Sequence, residues 1–583
     1  MAGIGDKVTR KYANFRGVDF RGDECSLNRS PDSLNVWKNY KKHTSIETRP
    51  GLKHIHTSTT GVSCMTFHAD KLYYISNNGY LHSLNADGTQ DVEICYIGTN
   101  GVLFKFNGRL YAKGSDSYRI VDTGKEVVPY IPTTSIGRKP AGGGTIHEDV
   151  NLLTGRRINT FLGDGKSTEY YLDAKECDGG DDNGFYVKIN GENPGGGYTF
   201  YPDEGMVEFD EPPPAPATDG QDNVEIGFSK TIDGYKEKIM NCTLVQEFDN
   251  RIFFSGNPQY PSVVRHSSLE DPSYISDLDY YLDGADGAPI RSMVAGNNAL
   301  WVFRDTSEAN SSVFYHVPTL DNDYGKVYPS SHSSISLGCV GRAINFNDDI
   351  VFFSQRGMEG ASTDITTEQF ATHRSSMVDR KLTANPKYKD MIFAEWEGYL
   401  LVFMGNDVYL ADSRAMLTHE NHVEYEWYHW KLSKFSVTCA TVHNGVLYIG
   451  TDGVDAEGHI YTFTRDASEG DEQPGHNGNE WLGNSPIESY WTTPLDRFGA
   501  SNLLKTTNKK GCVVEATGDV SVYVKVEDTD FELIGTYEDI TDYFVSRIKR
   551  KKWKDIQLKF HSNTKFSLET ATLEAYVGGY IKR

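Results

Sequence analysis

Seven stretches of the chain share one arrangement of apolar and polar positions. Each has an apolar segment, two to four turn-forming residues, and then a run of apolar residues. The stretches are Phe67–Ile75, Phe106–Ala112, Phe248–Phe254, Gly296–Phe303, Phe346–Phe353, Trp396–Phe403 and Val442–Ile449. Asn, Asp and Gly recur between the two apolar parts, and these residues tolerate the positive φ of a two-residue hairpin turn. A continuous apolar run after the turn predicts a strand buried on both faces.

The spacing gives these hairpins a common architecture. The apolar runs begin at Leu72, Leu110, Ile252, Leu300, Ile350, Leu400 and Val446, at intervals of 38, 142, 48, 50, 50 and 46 residues. Five of the six are close to the roughly 40–50 residues of a four-stranded propeller blade. The fold class expected is therefore all-β: a β-propeller of about seven blades, with an inserted small β-sandwich and a C-terminal β domain. A sandwich built from unrelated hairpins is the competing reading. The interval of 142 marks the insertion. Residues 140–229 open at Pro140-Ala141-Gly142-Gly143-Gly144 and close after Pro212-Pro213-Pro214-Ala215-Pro216. Between them lie the strand candidates 170–172, 185–189, 198–200, 206–209 and 224–228. The rest divides into an N-terminal cap or extension (1–60), propeller blades (61–139 and 230–486) and a C-terminal β-sandwich or closing blade (487–583). The polar, Gly-rich stretch 466–486 predicts a linker or mobile loop.

Composition supports strands. Tyr (35) and Phe (28) dominate the aromatics, and 56 glycines supply turns. The formal charge of −23 argues against broad nucleic-acid binding, which needs clustered cations. No stretch reaches the ~18 apolar residues of a membrane-spanning helix, and the N-terminus has no signal-peptide core. Eight dispersed cysteines without a Cys-x-x-Cys predict reduced thiols in a protein made in a reducing cytoplasm.

The candidate chemistry is sparse. His419-Glu420-Asn421-His422 has the wrong spacing for a zincin helix. Asp178–Gly184 and Asp321–Gly325 are oxygen-rich turns lacking the distal Glu of an EF-hand. No phosphate loop and no Gly-x-Ser-x-Gly elbow is present. No sialidase-type blade turn is present either, and no carboxylate pair stands out for glycoside hydrolysis. No catalytic, metal or cofactor residues are assigned and no cofactor is expected. The one cationic run surrounds Trp553. Its Lys549, Arg550, Lys551, Lys552 and Lys554 are candidates for docking an acidic partner or contacting phosphate, or for a charged strand edge.

Several phrases resemble tail proteins of tailed bacteriophages, in the propeller-bearing nozzle or tail-stabilisation group. They are Phe15-Arg16-Gly17-Val18-Asp19, Ser30-Pro31-Asp32-Ser33-Leu34-Asn35 and Thr48-Arg49-Pro50-Gly51, where Pro and Gly suit a sharp turn into the first blade. Phe253–Pro258, Ser268–Tyr274 and Asp277–Tyr280 are similar to phrases of the same group, as are Phe161–Gly165, Tyr170–Leu172 and Val187–Gly191 of the insertion. The resemblance implies a structural tail component of nozzle or hub type. It implies a homo-oligomeric ring, expected as a hexamer, in the virion, through which genomic DNA passes during ejection. The implied partners are other tail proteins, the adaptor and fibres. A receptor- or glycan-binding tail-tip protein is the alternative, and a glycan-cleaving tailspike a further one.

Overall fold

The structure is a computed structural model. It describes residues 5–40, 45–180, 183–306, 311–322, 325–361, 371–419, 422–432, 435–452, 457–474, 481–549 and 552–580. The protein is all-β, with 54% strand and 3% helix. It divides into two compact units, one of residues 1–95 and 337–583, the other of residues 96–336.

Each of the seven repeated stretches forms the first hairpin of a four-stranded sheet. The sheets lie along the chain at 62–96, 102–126, 244–282, 290–332, 343–373, 392–431 and 437–465, and in each of the first six the four strands follow chain order. The fourth includes an extra hairpin, Thr319–Asp321 with Gly325–Val327. The turn chemistry is uniform. Both central residues of every first hairpin have positive φ, from Ala69 (46°) and Asp70 (61°) to Asn444 (49°) and Gly445 (76°). That is the turn whose twist matches two antiparallel strands. The second strands are buried on both faces, as in Ala299–Arg304 and Tyr399–Met404, where every residue is buried.

The seventh sheet takes its fourth strand from the other end of the chain. Gly51–Ser58 pairs antiparallel with Gly458–Arg465, from Gly51 opposite Arg465 to Ser58 opposite Gly458. The tight position at Gly51 is steric: a β-carbon there would lie 2.5 Å from the carbonyl oxygen of Gly470. Pro50-Gly51 therefore leads into the seventh sheet, and the sharp turn into a first blade that the sequence suggested is not what requires the glycine.

The first unit also holds a ten-stranded, nearly closed, barrel-like sheet. It combines N-terminal strands, Lys7–Tyr12, Ser33–Leu34, Val36–Lys38 and Ile46–Thr48, with strands from 489–580. The hydrogen-bonded path starts at Ser33–Leu34 and ends at Val36–Lys38, so its ends are joined by Asn35 alone. The long strand Leu503–Val526 bends along this sheet. Register shifts fall between Thr507 and Cys512 and between Gly518 and Val520, as bulges that let one strand turn a corner. The expected N-terminal cap region thus contributes strands to the same sheet as the C-terminal domain. The expected linker is also structured: Asp471–Pro474 and Trp481–Ser485 pair as a hairpin.

The second unit contains the insertion. Thr133–Arg138, Thr145–Ile146, Arg156–Phe161, Tyr186–Ile189 and Val224–Ser229 form one sheet, and Glu169–Tyr171, Met206–Phe209 and Tyr198–Tyr201 another. Phe161, Tyr170, Val187, Val207, Phe209 and Ile226 make a separate core.

Ala69 has φ 46° on an exposed turn, at the position where five of the six other first hairpins carry Asn or Asp. Ala69→Asn is expected to raise stability by about 1 kcal/mol, since an L-residue without a local hydrogen bond pays that order of strain in the left-handed region. Gly108→Ala, in open space at φ 73°, is expected to lower it by a similar amount. Urea unfolding of the two variants checks both signs.

Candidate functional site

The cationic run is anchored by its tryptophan. Trp553 is buried, its Nε1 donates to Thr507 Oγ1 at 2.9 Å, and its ring meets Phe498 edge-on at 5.2 Å. Its main chain pairs with Lys505 in both directions, at 2.8 and 3.0 Å. Lys505 is itself buried, donating to the carbonyl of Lys554 at 2.7 Å, and burial pushes its amine down to about 8. Trp553 therefore belongs to the core and not to the exposed cationic surface. The surrounding cations face outward. Lys549, Lys552 and Lys554 are exposed, and Lys549 and Arg547 line an open depression of about 360 Å³ with Val524, Glu532, Leu533 and Ile534. Arg550 and Lys551 lie outside the described residues.

A second depression, about 640 Å³, is lined by Phe20, Asp23, Pro31, Arg380, Lys381, Asn385, Asp407, Tyr409 and His429, among others. One imidazole and one carboxylate of its lining are paired. His429 Nε2 lies 2.9 Å from Asp407 Oδ1, and Asn385 donates to Asp407 Oδ2 at 3.1 Å. The Lys381 ammonium sits 3.7 Å from the centre of the Phe20 ring.

In the phrases Arg16-Gly17-Val18 and Thr48-Arg49-Pro50-Gly51, Gly17, Val18, Thr48, Arg49 and Gly51 are buried, while Arg16 is exposed. A β-carbon on Gly17 would lie 2.1 Å from the carbonyl oxygen of Trp427, to which Val18 N–H donates at 2.8 Å. Arg49 donates to both carboxylate oxygens of Asp471, at 2.9 and 2.6 Å, with both side chains buried. Asn35 Oδ1 accepts from Arg49 Nε at 3.1 Å and from Lys431 N–H at 2.8 Å. Asp471 also accepts the N–H of Leu52 at 3.0 Å.

Other buried charges gave no sequence signal beyond an acid standing where a strand should be apolar. Glu426, between Tyr425 and Trp427, is buried with Arg16 and Arg29 at 3.5 and 3.6 Å, and burial raises its carboxyl to about 7 against their pull. His373 Nδ1 lies 3.0 Å from buried Glu359 and Nε2 lies 2.6 Å from Asp379. Burial opposes its charge, but the hydrogen bonds to Asp379 and Glu359 outweigh it and hold the ring up at about 9. Among the described residues, no group of three or more His, Cys, Asp or Glu is placed to hold a metal ion. The His419–His422, Asp178–Gly184 and Asp321–Gly325 candidates fall partly outside the described residues.

No protein-family model matches the chain, and no curated protein matches it. Among solved structures, the chain is similar to the crystal structure of the computationally designed Ika8 protein. The identity is 9%, over 70% of this chain and 99% of that one, with a TM-score of 0.30, which carries no argument about fold or function.

Two outcomes are expected. Arg49→Met removes the guanidinium that neutralises buried Asp471 and should cost about 3–5 kcal/mol in urea unfolding, part of which Asp471→Leu in the same chain should restore. The His373 ring has a raised folded pKa, so its contribution is complete below its unfolded value near 6.5 and is lost as pH rises through about 9. Stability should fall by roughly 1–3 kcal/mol more between pH 7 and 10 in the native chain than in His373→Gln.

Proposed function

We propose that this protein is a structural component of a bacteriophage tail, of nozzle or hub type. In this reading the seven four-stranded sheets are the blades of one seven-bladed propeller, used as a rigid wall. The observation that carries it is the last sheet, completed by strand 51–58 from near the start of the chain. Joining the first and last parts of a repeat array in one sheet is how a propeller closes its ring and protects its strand edges.

Two further features support the reading. The residues that carry the resemblance to tail proteins, Gly17, Asn35, Arg49 and Gly51, hold main chain and buried charge in place, as residues of a scaffold would. The exposed lysines beside Trp553 present a cationic face on an acidic chain, suited to acidic neighbours in a ring or to the adaptor and fibres. Copies of the chain would surround a channel for the outgoing genome, with the overall negative charge limiting adhesion of DNA.

Native mass spectrometry of the purified protein is expected to show a closed ring, with six copies as the leading species. Antibodies to the chain should decorate the tails of particles in electron micrographs. A monomer at every concentration removes the ring, and labelling confined to capsids or absent from particles overturns the tail assignment.

A further inference from the structure

The three-stranded sheet of the inserted module has two unlike faces. On the inner face, Tyr170, Val207 and Phe209 are buried, with the Tyr170 ring 5.4 Å from Phe161 and 5.1 Å from Phe209. On the outer face, strand pairing sets Tyr171, Met206 and Tyr201 in one row across the sheet and Glu169, Glu208 and Thr199 in the next. Tyr171 and Tyr201 are each 36% exposed, and both glutamates are exposed.

The tyrosines are oriented by the glutamates. Tyr171 OH donates to Glu169 Oε2 at 2.9 Å, two residues back along its own strand, and Tyr201 OH donates to Glu208 Oε2 at 3.0 Å, one row along on the neighbouring strand. A hydroxyl that reaches the next row requires a ring that leans along the strand, over the outer face of the sheet. The two tyrosines are two strands apart, so the rings are separated by about 10 Å, with Met206 between them.

The glutamates are costly for folding alone. Glu169 and Glu208 are directly opposed across the strand pair, where like charges destabilise a sheet. Each has one carboxylate oxygen bonded to a tyrosine hydroxyl and so keeps a second oxygen to accept from a ligand.

We propose that this face is a carbohydrate-binding platform for a neutral polysaccharide. Flat aromatic rings present an apolar surface to the C–H faces of successive sugar units, and Tyr is amphipathic in the way such a contact requires. The outer oxygens of Glu169 and Glu208 accept hydrogen bonds from sugar hydroxyls, which charged acceptors do more strongly than neutral ones. The same carboxylates repel polyanionic saccharides, which fixes the class as neutral. This goes beyond the ring-forming role and does not rest on it.

The test is native affinity electrophoresis of the full-length protein through gels containing dextran, galactomannan or amylopectin, with alginate as the polyanion. Retardation is expected in at least one neutral gel and not in alginate. Tyr171→Ala and Tyr201→Ala should each weaken it about tenfold, while the double Tyr→Phe variant, which keeps both rings, should stay within about threefold of the native chain. Melting curves report whether the variants fold. Should the alanine variants melt early, Tyr171→Thr with Tyr201→Thr restores strand propensity and reads the same loss. Free migration in all three neutral gels overturns the proposal, as does retardation by alginate alone or folded ring-deleted variants that bind as the native chain does. The ring assignment stands or falls separately, on mass spectrometry and particle labelling.

Discussion

The pairing of Gly51–Ser58 with Gly458–Arg465 is the constraint on which the first unit depends. It joins positions about four hundred residues apart in the chain, and non-local pairing of that kind carries a loop-closure cost that must be offset elsewhere. One polar contact fixes where the two segments meet. Arg49, just before the strand, is buried against Asp471, just after its partner, and Asp471 also holds the N–H of Leu52. A buried pair with its lone pairs satisfied gives geometry more than net energy. Here that geometry sets the register at which the beginning of the chain meets its end. Asn35, accepting from both Arg49 and Lys431, ties the same point to the sixth sheet and to the barrel-like sheet whose path ends on either side of it.

The repeats were legible because local and tertiary demands agree there. Asn107-Gly108, Asp249-Asn250 and Asn444-Gly445 are suited to positive φ, and the runs after them are apolar because neighbours cover both faces. The inserted strands were legible for a similar reason: Tyr186–Ile189 and Met206–Phe209 carry β-forming residues between glycine-rich turns. Its first strand, Thr133–Arg138, was not, since it runs parallel to Arg156–Phe161 and no turn signal marks such a pair.

What the sequence hid was chiefly polar. Asp471 lies in a stretch of Glu, Gly, Asp and Gln that composition assigns to a loop, yet it is buried because its partner is Arg49. Trp553 stands amid cations in the sequence, yet Thr507 and Phe498 hold it in the core. In both cases the partner is some tens to hundreds of residues away, and neither composition nor periodicity encodes such a match. The row of Tyr171, Met206 and Tyr201 was hidden for the same reason, because it exists only once three strands are in register.

The inserted module is built so that a function can be added to a scaffold at little cost. Its entry strand begins with Thr133 opposite Ile158, and its exit strand ends with Ser229 opposite Arg156. The chain therefore enters and leaves at one end of the same strand, and an insertion with adjacent ends adds little closure entropy to the sheets on either side of it in sequence. Asn151 secures the region, donating to the carbonyls of Tyr130 and Ser273 while accepting from Leu153 and Ile275. With a core of its own, the module does not need its outer face for stability. That freedom explains how opposed glutamates and exposed tyrosines persist there, whereas an equivalent row on a strand such as Tyr399–Met404, buried on every residue, would be excluded by packing.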